Sequence, residues 1–76
     1  MEISLNRLQT GRQGIVTCID TDIAYRSRLR VFGMVPGTKV RCRYRSPGGS
    51  VMALEFRGTV LAVRTRDVKN IRVCCL

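Results

Sequence analysis

The stretch from Arg28 to Val40, Arg-Leu-Arg-Val-Phe-Gly-Met-Val-Pro-Gly-Thr-Lys-Val, constrains the fold of this 76-residue chain more than any other. It reads as the end of a helix, a glycine stop, a Pro-Gly turn and the entry to a strand. Leu29 and Phe32 are three apart, so they share a helix face that can be buried. Gly33 can take the positive φ that ends a helix without a Cβ clash. Pro36 sets φ for the first corner of a β-turn, and Gly37 suits the left-handed second corner of a type II turn. Gly37 is therefore expected at positive φ. Thr38 and Val40 then open a run of β-branched and alternating residues.

The rest of the chain alternates with a period of two, the mark of half-buried strands. From Lys39 to Arg45 every second residue is basic. Strict alternation puts Val40, Cys42 and Tyr44 inward and Lys39, Arg41, Arg43 and Arg45 outward. Ser46-Pro47-Gly48-Gly49-Ser50 is a turn by composition. Val51 to Arg57 repeats the pattern, with Met52, Leu54 and Phe56 inward and Glu55 and Arg57 outward. Gly58 turns the chain into Thr59–Arg64, and a loop around Asp67 leads to the strand Asn70–Val73. Upstream, Ile15 to Ile19 is a short apolar run suited to a buried strand. Ile3 to Leu8 reads as a strand-like arm or loop that plugs one end of the core. Thr21 or Asp22 caps a helix from about Ile23 to Phe32. On that helix Arg26 and Arg30, four apart, share a face. Five short strands, one helix and tight turns predict a mainly β fold, a small barrel or rolled antiparallel sheet.

The order of these motifs resembles the FeoA family, small bacterial cytosolic proteins that accompany the ferrous iron transporter FeoB. The resemblance rests on Arg28-Leu29, Gly33, Pro36-Gly37-Thr38 and Val40. Leu5, Leu8, Gly11 and Gly14 extend it upstream, and Gly58-Thr59-Val60, Asp67, Ile71 and Val73 extend it downstream. It runs from about Leu5 to Val73. It implies an SH3-like five-stranded barrel with the helix inserted after the first strand, one FeoA-like domain over residues 1–76. Leu29, Gly33, Pro36, Gly37 and Gly58 are its structural signature. The chain departs from the family in having Gly49-Ser50 where a proline often precedes the third strand, and Val68 where an alanine is usual.

Composition narrows the function. A chain of 76 residues has room for a modest core, which argues against a deep catalytic cleft. It contains no histidine, and its five carboxylates are scattered, so the usual general base and clustered ligands are missing. Gly48-Gly49 lacks the Lys-Ser or Lys-Thr of a P-loop. The expectation is a non-enzymatic protein with no cofactor. Four cysteines include no CxxC pair. Cys18 and Cys42 fall in alternating strands and are expected to be buried as small hydrophobes. Cys74 and Cys75 are adjacent and point to opposite faces. Any transition-metal binding would fall to that pair. No apolar run approaches the roughly 20 residues needed to span a bilayer, and no secretory signal is visible at the N-terminus. The expected location is cytoplasmic, at the inner face of the membrane.

Fourteen basic residues, twelve of them arginine, against five acidic ones give a formal charge of +9 and point to an acidic partner. The strand ladder Lys39, Arg41, Arg43 and Arg45 is the first candidate surface, and the helix face of Arg26 and Arg30 the second. The resemblance implies docking on the cytosolic GTPase part of a FeoB-like transporter, beside an anionic membrane surface. The alternative is a basic SH3-like barrel that binds nucleic acid, or a regulatory domain related to the C-terminal domain of iron-dependent repressors. With only four aromatics, and Tyr44 and Phe56 on the faces read as inward, no base-stacking platform is evident and nucleic acid is not the expected partner.

Overall fold

The computed structural model describes residues 1–76. Six strands run through it: β1 (Glu2–Ser4), β2 (Gln13–Ile19), β3 (Lys39–Arg45), β4 (Val51–Phe56), β5 (Thr59–Arg64) and β6 (Ile71–Cys75). One helix, α1 (Ile23–Val31), lies between β2 and β3, and short 3-10 turns cover Leu5–Arg7 and Thr65–Val68. All strand pairs are antiparallel, in the order β1-β6-β2-β3-β4-β5. The sheet coils around one cluster of 15 buried residues drawn from β2 to β6, α1 and the loops. The extents are 29 × 23 × 22 Å. The smallest is about twice the ~10 Å spacing of packed layers, as a sheet folded over itself requires.

The strand count is six rather than five. The additional strand is β1, whose Ile3 stands opposite Val73 of β6. Three edge residues carry too little alternation to be recognised without the strand they pair with. The arm otherwise plugs the core as expected, with Leu5 and Leu8 fully buried.

The corner after α1 follows its local chemistry. Asp22 caps the helix by accepting from the Tyr25 N–H at 2.8 Å. At the far end the Met34 N–H donates to the Leu29 carbonyl and the Gly33 N–H to the Arg30 carbonyl, both at 2.9 Å. That pair of bonds is a Schellman motif, and it carries Leu29 and Met34 into the core together. Gly33 and Gly37 both have φ of 96°. The Thr38 N–H closes the Pro-Gly turn onto the Val35 carbonyl at 3.0 Å. The buried Thr38 hydroxyl accepts from the Val35 N–H and donates to the Gly33 carbonyl, locking helix end and turn into one unit. Leu29 is buried, but Phe32 is 45% exposed. Phe32, the C-cap, keeps right-handed helical dihedrals and lines the same cleft as Leu29, but at the helix end it stands at the cleft's edge and not in the core.

Two β-bulges break the regular alternation. In β2, Val16 pairs with Val73 and Cys18 with Arg72, so Thr17 is an extra residue. In β3, Cys42 pairs with Leu54 and Tyr44 with Ala53, so Arg43 is the extra one. An extra residue reverses the inside–outside phase beyond it. Cys18, expected in the core, is therefore exposed. Tyr44, expected inward, is 57% exposed. Arg45, expected outward, lies opposite the fully buried Met52. The remaining inward residues, Val40, Cys42, Met52, Leu54 and Phe56, are all buried as read.

Candidate docking surface

The basic ladder survives in altered form. Lys39 and Arg41 project from the outer face of β3 and are exposed, Arg41 standing between Gln13 of β2 and Glu55 of β4. Arg43, at the bulge, pairs with Glu55 at 3.2 Å, both side chains substantially solvated. Such a pair contributes under about 1 kcal/mol. Arg45 leaves the face altogether. Its guanidinium donates to the carbonyl of Leu8 at 3.0 Å and to that of Asn6, tying β3 to the N-terminal arm.

Arg57, read as outward but not assigned to the surface, joins the ladder at the opposite end of β3 from Arg45, beyond the Arg41–Glu55 pair. Arg57 and Gly58 form the two-residue turn between β4 and β5, with φ of 51° and 76°. Positive φ at both corners is the type I′ geometry, which matches strand twist and ordinarily selects Asn or Gly. Arg57 is the one non-glycine residue at positive φ. Its aliphatic stem lies over Gly33, where an added Cβ would come within 2.8 Å of Arg57 Cδ. The missing side chain at Gly33 thus makes room for Arg57. Lys39, Arg41, Arg43 and Arg57 line a shallow concavity of about 460 Å³, with Gln13 and Glu55 as neighbours. Four cations face it against one acid. An arginine-glycine pair between two alternating strands was the sequence signal for this placement.

The helix arginines are elsewhere. Arg26 and Arg30 are exposed on α1 and contribute nothing to the β3 concavity. Beside the helix a second cleft of about 400 Å³ opens between α1 and β5. Its walls include Tyr25, Phe32 and Leu61, with Arg28, Arg64 and Asp67 at the rim. Burial raises the Tyr25 phenol above its ordinary pKa, nearby Asp67 adds to the shift, and Arg28 opposes it. Cys74 and Cys75 are half-buried on opposite faces of β6, and no three His, Cys, Asp or Glu side chains gather closely enough to hold an ion. Leu29, Gly33, Pro36, Gly37 and Gly58 all belong to turns and core.

A coiled antiparallel sheet of short strands, closed at one end by the N-terminal arm and carrying a single helix between β2 and β3, is an SH3-like barrel. Within that class, the model of the FeoA domain matches residues 3–74. The chain belongs to the FeoA family. It is similar to the FeoA protein of Chlorobium tepidum, at 28% identity and a TM-score of 0.92, over 97% of this chain and 70% of that one. It is also similar to FeoA of Stenotrophomonas maltophilia, at 28% identity and a TM-score of 0.80, over 93% and 88% of the two chains. That protein was solved with zinc and is described as a prokaryotic SH3 domain protein and a candidate activating factor for ferrous iron transport. A manganese-dependent transcriptional repressor shares the fold at 17% identity and a TM-score of 0.86, over 99% of this chain and 42% of that one. No curated protein matches the chain.

Proposed function

We propose that this protein is a non-enzymatic interaction module that supports ferrous iron uptake by docking on the cytosolic GTPase part of a FeoB-like membrane transporter. Membership of the FeoA family supports the process. The observation that carries the docking surface is the concavity where Lys39, Arg41, Arg43 and Arg57 converge with Glu55 as the single acid. Unneutralised like charges at this spacing repel, and an acidic face on a partner relieves the repulsion. The module works in the cytoplasm at the inner face of the membrane, where anionic headgroups add about 1 kcal/mol per nearby Lys or Arg. No helix of the structure is long and apolar enough to cross a membrane.

The test is co-purification with the transporter's cytosolic part at two salt concentrations. The K39E/R41Q double variant changes exposed residues only, so it should fold normally, bind at least tenfold more weakly and lose most of the salt dependence. Unchanged binding would remove β3 from the interface and turn attention to Arg26 and Arg30. A duplex titration beside it addresses the alternative: tight binding to arbitrary DNA, with a slope near −0.9 in log–log salt plots per phosphate contacted, would make nucleic acid the partner.

A further inference from the structure

The strand order leaves β5 at one end of the sheet, paired on one side with β4 only. Its register fixes which backbone groups are free. In a two-residue hairpin the residues flanking the turn, here Phe56 and Thr59, exchange hydrogen bonds, and pairs alternate from there. Thr65 donating to the Ser50 carbonyl at 3.0 Å lies on the same alternation. The N–H and C=O groups of Val60 and Ala62 therefore point away from β4, along the open edge. No loop or side chain of the protein supplies them with a partner.

That edge is unguarded. Thr59-Val60-Leu61-Ala62-Val63-Arg64 holds no proline, no lysine and no bulge, the usual devices that stop a strand from recruiting another. Val60 is 56% exposed. Directly beside the edge lies the cleft under α1, walled by Tyr25, Phe32 and Leu61. A strand added to β5 would occupy this cleft, so its alternate side chains would meet apolar surface on one side and solvent on the other. Arg28 and Arg64 stand at the rim, Asp67 being the one acid there. The formal charge of +9 opposes pairing of two copies of the chain through this edge.

We propose that the free edge of β5 and the cleft beneath α1 receive an extended segment of a partner protein, with apolar residues alternating with acidic ones, as a seventh strand. Main-chain hydrogen bonds to Val60 and Ala62 hold the segment, its apolar residues fill the cleft against Phe32 and Leu61, and its carboxylates meet Arg64 and Arg28. This surface is separate from the β3 concavity and does not depend on the transporter being the partner.

The probe is a fluorescein-labelled peptide, Glu-Val-Asp-Leu-Glu-Val, with a control in which lysine replaces each acidic residue. Binding is read by anisotropy and by backbone amide spectra of the whole chain. The acidic peptide should shift and protect the amides of Val60 and Ala62, and the lysine peptide should bind at least tenfold more weakly. Ala62→Pro removes one outward N–H and should weaken binding at least tenfold. Because proline can disturb the strand, Phe32→Ala is the second variant; it changes a half-exposed C-cap side chain and should weaken binding by a similar factor. Shifts confined to Lys39 and Arg41, no binding at millimolar peptide, or a concentration-dependent dimer that occupies the β5 edge would each overturn the proposal.

Discussion

Arg45 and Met52 stand directly opposite one another across β3 and β4, so an arginine begins on the same face as a methionine with no solvent exposure. The side chain escapes the core at the barrel end, where its guanidinium meets the carbonyls of Asn6 and Leu8. The arginine is thus a clamp between β3 and the N-terminal arm. Hydrogen bonds from a charged group contribute about 1.5–3 kcal/mol. Arg45→Met should cost about that much in a urea melt, whereas Arg41→Met, on the exposed face, should stay within about 0.5 kcal/mol. Equal losses would show that Arg45 is no more than a surface charge.

Gly33 and Gly37 share a φ of 96° but not a neighbourhood. An added Cβ at Gly37 meets nothing, and at Gly33 it meets Arg57. Gly37→Ala should therefore cost only the backbone penalty, roughly 1 kcal/mol. Gly33→Ala should cost more, and the excess should vanish when Arg57→Ala is combined with it, a non-additivity that a double-mutant cycle in denaturant reads directly.

Phe56 is among the largest fully buried side chains, inside a core of 15 residues. Phe56→Ala should lose roughly 3–5 kcal/mol in chemical denaturation. In so small a domain that is most of the stability. A loss below about 1 kcal/mol would mean that the β4 register is wrong.

Glu2 holds β1 to the sheet. The Thr17 hydroxyl donates to its carboxylate at 2.7 Å, and Arg72 lies 3.4 Å away. The Thr17 hydrogen bond is the main cause that lowers its pKa below 4.5; partial desolvation opposes it and Arg72 assists. A carboxyl depressed in the folded state adds stability that is present above its unfolded pKa and lost as pH falls through the folded one. Amides of β1 should exchange faster as pH drops below about 4.5, after correction for intrinsic rates. Glu2→Gln should abolish that pH dependence.

The cysteines should separate by reactivity. Cys18 is exposed because of the Thr17 bulge, and Cys42 is fully buried. A thiol reagent should modify Cys18 rapidly in the native protein and Cys42 only on unfolding, as peptide mass mapping would show. Rapid labelling of Cys42 would place β3 in a different register.

Much of this fold is legible locally. The cap at Asp22, the Schellman end at Gly33, the Pro-Gly turn and the inward run Met52, Leu54 and Phe56 depend on steric and hydrogen-bonding rules that act within a few residues. The candidate surface was legible in kind but not in membership. Lys39, Arg41 and Arg43 stand where alternation puts them, whereas Arg45 turns in at one end of β3 and Arg57, outward as read but not assigned to the surface, joins at the other.

The residue pattern by itself determined a mainly β barrel or rolled sheet with one helix, which the family resemblance made SH3-like, together with the corner after α1, the positive charge and the inward faces of β4. Only the tertiary structure decided the phase of β2 and β3 beyond Thr17 and Arg43, the pairing of β1, and the free edge of β5. The reason is physical. A bulge is set by how two strands align, and the alternation Lys39–Arg45 runs through Arg43 without any mark of an extra residue. An edge, likewise, exists only once every other strand has found its neighbour.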